Sequence, residues 1–137
     1  MAQSVREIMT ANPVTVRPDT SVVEAARLMA SEDVGSLPAV EGDRLVGVVT
    51  DRDIALRVVA EGRDASATTV GEIQSSDPVT VEPDQDLDDA LREMARRQVR
   101  RLPVVEGDRL IGVVAQADVA KKASESKTGK VVEEISE

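Results

Sequence analysis

The residues with the greatest chemical capacity fall at two places in the chain. Thr50-Asp51-Arg52-Asp53 offers a hydroxyl, two carboxylates and a guanidinium in consecutive positions, and the matching stretch 65 residues later reads Ala115-Gln116-Ala117-Asp118. A Thr-x-x-Asp run after an apolar segment has a structural use: the hydroxyl caps a free N–H and the acid complements the helix dipole. It also leaves a hydroxyl and a carboxylate together where a polar ligand could meet them. The second copy bears on the choice, because Ala115 cannot cap while Asp118 is still present, although helix-dipole preference alone also suffices to keep Asp118. The other cluster is basic, with Arg96, Arg97, Arg100 and Arg101 within six residues. Guanidinium forks take phosphate bidentately. At a helix C-terminus arginines also simply face the dipole, which accounts for Arg96 and Arg97. For Arg100 and Arg101, phosphate binding and an ion pair to Asp51 or Asp53 are equal alternatives. Arg52 either joins a phosphate site or points into solvent.

What the chain lacks narrows the chemistry further. There is no cysteine and no histidine, which removes disulfides, thiolate ligands, thiol nucleophiles and the usual neutral-pH base together. Catalysis would need an acidic dyad or a tuned lysine, and no lysine precedes Lys121. No loop has the ligand spacing of a Mg²⁺ or Ca²⁺ site. An enzyme is therefore not expected, nor a resident metal or cofactor. With 26 acidic against 17 basic side chains the formal net charge is -9, a balance that repels nucleic acid and anionic lipid. Phe, Tyr and Trp are all absent, so bases have no rings to stack on, and the core must be aliphatic. The opening MAQSVREIMT lacks the pattern of a signal peptide, and no apolar run approaches a membrane span. The expected compartment is the cytoplasm, without nucleic acid or membrane as partner.

These groups are positioned by a duplicated framework. Val5–Ile54 aligns with Val70–Val119 without a gap, and 26 of the 50 pairs are identical. Each copy begins with an S/T-x-x-E capping-box pattern (Ser4 with Glu7, Thr69 with Glu72). Short β-branched runs follow at residues 13–16 and 78–81 and read as strands. Ser21 and Asp86 suit the N-caps of amphipathic helices, in which Val22, Ala25, Ala26 and Met29, and then Leu87, Ala90, Leu91 and Met94, recur at helical spacing. Residues 37–40 and 45–50, and 102–105 and 110–115, read as strand pairs around the turns EGDR. A closing helix starts near Asp51 or Gln116. Each copy is thus a β-α-β-β-α unit, and the chain is expected to be α/β (α+β). Two such units would be related by a pseudo-two-fold axis and packed sheet to sheet, spanning residues 5–62 and 70–123. A polar linker at 63–69 joins them and a flexible tail follows at 124–137, in which Val131, Val132 and Ile135 could dock.

The stretches GVVTDRDI, LPAVEGDRLVG and VRRLPVVEGDRLIGVV in tandem resemble a pair of cystathionine-β-synthase (CBS) domains, over about residues 5 to 123. The strand, turn, strand and T-x-x-D tip occur together, twice, which makes the resemblance specific. It implies a stand-alone regulatory module with two clefts for adenosine-containing ligands such as AMP, ADP, ATP, S-adenosylmethionine or NAD. It further implies a homodimer of four motifs and output through a separate effector protein, with stress response among the implied roles. By the family pattern the Asp closing T-x-x-D meets the ribose hydroxyls, and it maps onto Asp53 and Asp118; one carboxylate accepts two hydroxyl donors. Thr50 matches the threonine that donates to phosphate, and Ala115 departs from it. The adenine wall maps onto Val14, Thr15, Val16, Leu37 and Pro38, and onto Val79, Thr80, Val81, Leu102 and Pro103, several of which are equally suited to plain core packing. Basic residues before the strand, Arg100 and Arg101 here, meet phosphates in the family. The alternative is a ligand-free scaffold protein using the same disc, favoured by the loss of the second tip. Unequal clefts are expected, with the one at Thr50–Asp53 the better.

Overall fold

A computed structural model describes residues 3–121. The expected tail and its docking residues Val131, Val132 and Ile135 lie outside the described residues. The elements in chain order are α1 (Val5–Ile8), β1 (Thr10–Ala11), α2 (Val22–Glu32), β2 (Ser36–Glu41), β3 (Arg44–Thr50), α3 (Asp51–Ile54) with a π-helical turn Ala55–Val59, α4 (Val70–Ile73), α5 (Leu87–Arg97), β4 (Arg101–Glu106) and β5 (Arg109–Ala115). Residues 116–121 are helical.

The chain forms two compact units, and they do not follow the repeat boundaries. The first holds residues 13–79 and 107–110; the second holds, of the described residues, 3–12, 80–106 and 111–121. Each repeat therefore gives its opening segment to the unit built mainly from the other. In the first unit, Val70 N–H donates to Thr20 C=O at 2.8 Å and Gly71 N–H to Pro18 C=O at 2.8 Å. In the second, Val5 N–H donates to Gln85 C=O at 2.9 Å and Arg6 N–H to Pro83 C=O at 2.9 Å. The acceptors are equivalent positions of the two repeats, so one docking pattern is used twice.

In the first unit, β2 and β3 pair antiparallel from Ser36↔Thr50 to Glu41↔Arg44. The turn between them is closed by Gly42 at φ +64°, a left-handed conformation that costs glycine little. The second turn, residues 107–110, meets the first head on. Leu45 N–H donates to Asp108 C=O at 2.9 Å, and Leu110 N–H to Asp43 C=O at 2.8 Å. Arg44 lies 3.5 Å from Asp108 and Arg109 lies 3.4 Å from Asp43. The EGDR sequence thus serves twice: it makes each hairpin turn, and it supplies a crossed pair of charges where the turns meet. In the second unit, β1 pairs with β5 (Thr10↔Val113, Ala11↔Gly112), and β4 also pairs with β5.

The runs at 13–16 and 78–81 do not form extended strands. Each makes a single parallel bridge, Val16↔Ala39 and Val81↔Val104. Pro13 and Pro78 open these runs and Pro18 and Pro83 follow them closely, and each withholds a ladder donor. Of the expected caps, Ser21 accepts from Glu24 N–H and Asp86 from Asp88 N–H. Glu72 accepts from Thr69 N–H at 2.7 Å. Ser4 makes no side-chain cap; its backbone forms an antiparallel bridge with Asp86.

The core of the first unit gathers Val16, Val22, Ala25, Met29, Leu37, Ala39, Val49, Val58, Val70 and Ile73. The polar stretch 61–69 does more than connect. Thr68 is buried, its hydroxyl donates to Asp64 C=O at 2.7 Å, and its own C=O receives Val22 N–H at 2.9 Å. That bond satisfies one of the free N–H groups at the start of α2.

Candidate functional site

The tip of the first repeat is assembled where β3 ends. Thr50 is extended, and α3 begins at the next residue, so the backbone N–H groups at this start need partners outside the helix ladder. Thr50 Oγ1 accepts from Asp53 N–H at 3.0 Å, and Asp53 Oδ2 accepts from Thr50 N–H at 2.9 Å. The reciprocal pair is a complete capping box. Capping and ligand binding are not mutually exclusive in this geometry. The cap leaves the hydroxyl proton of Thr50 and the second oxygen of Asp53, Oδ1, uncommitted to it. Asp53 is only 18% exposed in its side chain, and Oδ1 lies 3.9 Å from Arg57 Nε. Arg57 in turn donates to Ile73 C=O at 3.2 Å. The carboxylate is therefore held in one orientation from two sides. Asp51 N–H donates to Gly35 C=O at 2.9 Å, and the Asp51 carboxylate lies so close over Gly35 that an added Cβ would stand 2.9 Å from its Oδ2. Arg52 is exposed.

The remaining expected residues of this unit divide by burial. Val16 and Leu37 are core residues at 5% and 1% exposure, and Pro38 is buried with its C=O receiving Val16 N–H at 2.9 Å. Val14 is 40% exposed, while Thr15 and Val79 are half-buried. Only Val14, Thr15 and Val79 of the wall thus present appreciable surface here. Thr15 and Val16 line a groove of about 550 Å³, whose other walls are Arg17, Thr20, Glu24, Arg27, Leu28 and Ser31. Thr50 and Asp53 are not among its lining residues.

The second unit carries the other half of the expected set. Ala115 is buried and offers no side-chain cap to the helical residues 116–121; Gln116 N–H donates to Arg100 C=O at 2.7 Å, the counterpart of the bond from Asp51 to Gly35. Asp118 is exposed, as are Thr80 and Arg100, and Arg101 is half-buried. Val81 and Leu102 are core residues, and Pro103 is buried with its C=O receiving Val81 N–H at 3.0 Å. Within this unit neither Arg100 nor Arg101 has a carboxylate partner among the described residues. Arg96 and Arg97 do: both reach Glu93, at 2.8 and 3.2 Å. The guanidinium hydrogen bonds, Arg96 first, hold the Glu93 carboxyl below its usual range. Arg96 and Arg97 are thereby accounted for as helix-end residues.

Two contributors escaped the sequence reading. Arg57 stands four residues after Asp53, a helical Asp–Arg spacing that was visible in principle. The groove residues of α2 gave no signal, since a face of Glu24, Arg27, Leu28 and Ser31 reads as an ordinary solvated side.

A duplicated β-α-β-β-α framework with a capped hydroxyl–carboxylate tip defines a class of tandem module. The model for the CBS domain matches the chain twice, at residues 5–60 and 70–125. The CBS domain-containing protein YhcV of Bacillus subtilis is 43% identical over 134 residues, covering 97% of this chain and 95% of that protein. Hypoxic response protein 1 of Mycobacterium tuberculosis is 36% identical over 121 residues, covering 88% and 85%. The crystal structure of Hypoxic Response Protein I with two coordinated zinc ions superposes with a TM-score of 0.80, covering 87% of this chain and 98% of that one. The CBS domain pair of protein MJ0100, solved with 5'-methylthioadenosine and S-adenosyl-L-methionine, has a TM-score of 0.81 at 26% identity, covering 92% and 99%. The chain belongs to the CBS domain family and has the fold of a tandem CBS pair.

Proposed function

We propose that this protein is a regulatory module that binds an adenosine-containing ligand, with the Thr50–Asp53 tip as the main point of recognition. AMP, ADP, ATP, S-adenosylmethionine and NAD are the candidates. The observation that carries the proposal is the capping box, which orients Thr50 and Asp53 while leaving one hydroxyl proton and one carboxylate oxygen outside the cap. A ribose diol needs one well-held carboxylate, and Asp53 supplies it. Support also comes from the methylthioadenosine and S-adenosylmethionine held by the MJ0100 pair. Arg100 and Arg101 are proposed to serve phosphate, since they lack carboxylate partners among the described residues of their unit. Zinc is not carried over from the mycobacterial relative, because this chain has neither histidine nor cysteine, the ligands zinc takes most readily.

The module is proposed to act in the cytoplasm, without catalysis of its own, as a homodimer that passes its state to a separate effector. No helix among the described residues is long and apolar enough to cross a membrane. Leu56 and Val59, exposed at 52% and 71%, give the π-helical turn an apolar face suited to a second copy. A role in stress response is proposed from the hypoxic-response relative.

Calorimetric titration with the candidate ligands, on the wild type and on Asp53→Asn and Arg101→Ala, tests the reading. Asparagine keeps an acceptor for Thr50 N–H and removes the charge, so helix capping and ligand recognition separate. At least one nucleotide should bind with sub-millimolar affinity and weaken roughly ten-fold or more in Asp53→Asn. If none of the candidates binds, the ligand-free scaffold reading takes over, a reading the buried Ala115 at the second tip already favours for that half. Binding that is indifferent to Asp53→Asn moves the site elsewhere.

A further inference from the structure

The groove beside α2 is separate in its residues from the Thr50–Asp53 tip, and the duplication supplies an internal control for it. Its lining residues Thr15, Val16, Arg17, Thr20, Glu24, Arg27, Leu28 and Ser31 correspond in the second repeat to Thr80, Val81, Glu82, Gln85, Asp89, Arg92, Glu93 and Arg96. In the second repeat the charges answer one another along α5. Arg92 pairs with Asp89 at 2.7 Å and Arg96 with Glu93 at 2.8 Å, and this set carries one net negative charge. In the first repeat the same positions carry one net positive charge in a chain of -9. Arg17 is partly answered by Asp19 at 3.4 Å, whereas Arg27 has no carboxylate partner among the described residues.

The rest of the groove complements that free guanidinium. Leu28 stands where the second repeat has Glu93, so with Val16 the floor is apolar. Thr20 Oγ1 accepts from Arg17 N–H at 3.0 Å, which leaves its hydroxyl proton uncommitted to that bond. Ser31 donates to Leu28 C=O at 3.1 Å and keeps its lone pairs. An apolar floor under one cation without a carboxylate partner among the described residues, with the Thr20 hydroxyl proton as a second donor, suits an anionic head on a short apolar body, since guanidinium bonds to carboxylate or phosphate are charge-assisted. We propose that this groove binds a small anionic amphiphile, its head on Arg27 and its body against Val16 and Leu28. The site shares Thr15 and Val16 with the expected adenine wall but no residue with the Thr50–Asp53 tip, and it does not rest on nucleotide recognition at that tip.

The test uses the full chain labelled with ¹⁵N, titrated with hexanoate and hexyl phosphate as probes of the two head types. Hexan-1-ol serves as the neutral counterpart and AMP as the nucleotide. One or both anions should shift the amides of Thr20, Arg27, Leu28 and Ser31 saturably, and the tighter of them identifies the head. Hexan-1-ol should bind roughly ten-fold more weakly or worse, as should the better anion to Arg27→Ala. Leu28→Glu, which installs the residue of the second repeat, should abolish binding with the remaining spectrum intact. The proposal is overturned if the alcohol binds as well as the anions, if Arg27→Ala changes nothing, or if no saturable shift occurs at these amides. AMP that shifts Thr50 and Asp53 but not Arg27 supports two sites. AMP shifts at Arg27 that vanish in Arg27→Ala would merge the groove with the nucleotide site and overturn it as a separate one.

Discussion

Thr50 and Asp53 carry two duties, and the first is now fixed by geometry: each accepts the other's backbone N–H. Thr50→Ala removes half of that box and should cost about 1 kcal/mol of unfolding free energy, within a range of about 0.5–2. Thr50→Ser should retain most of it. Urea unfolding measures the difference, and an alanine variant as stable as wild type would mean the cap contributes nothing. The equivalent step in the second repeat is absent because Ala115 has no acceptor. That asymmetry was legible from residue types alone, since only local sequence decides whether position 50 or 115 can cap. Arg57 was less legible: its reach to Ile73 C=O depends on where the opening of the other repeat comes to lie.

At the scale of elements, the strands that form each hairpin were readable from their β-branched runs and EGDR turns, within one residue at each end. The glycine inside GVV was not explained by that pattern. A Cβ on Gly47 would stand 2.6 Å from Gln74 Cδ and 2.8 Å from Ser75 C=O; one on Gly112 would stand 2.7 Å from Met9 Sδ and 2.9 Å from Thr10 C=O. In both repeats the opening segment of the other repeat crosses this glycine. Ser75 and Val48 exchange backbone hydrogen bonds at 2.9 and 3.0 Å, so the backbone at that crossing cannot simply withdraw. Gly47→Ala should therefore destabilise by about 1–3 kcal/mol through overpacking. Chemical denaturation checks it, and a loss below about 0.5 kcal/mol would show that the crossing yields. The runs at 13–16 and 78–81 misled for the opposite reason: β-branched composition was present, but flanking prolines left each with one bridge.

At the scale of the molecule, three carboxylates among the described residues report on folding. Asp64 is held below its usual range by the Ser66 hydroxyl first and the Ser66 N–H next. Glu72 is lowered by the Thr69 N–H, then by the Thr69 hydroxyl and Arg63. Glu93 is lowered by Arg96 and then Arg97. A folded value below the unfolded one means the stabilisation is complete above the unfolded carboxylate range and is lost as pH falls through the folded values. The melting temperature of wild type relative to Glu72→Gln should accordingly narrow between about pH 5 and about pH 3. A gap that stays constant or widens on acidification would contradict the assignment. Comparing the two proteins at each pH removes the change in net charge that both share.

The sequence by itself determined that the chain is two copies of one framework, which family it resembles, and which copy keeps a capped tip. These follow from local chemistry: period, turn residues, and the presence or absence of a hydroxyl at one position. Tertiary structure decided the rest. It showed that each compact unit borrows the opening of the other repeat, and that the EGDR turns meet in a crossed pair. It buried Val16, Leu37, Val81 and Leu102, residues that sequence could assign equally to a ligand wall or a core. It also left Arg27 without a carboxylate partner among the described residues while pairing its counterpart Arg92 with Asp89. Burial and charge pairing depend on neighbours distant along the chain, so no local pattern could have contained them.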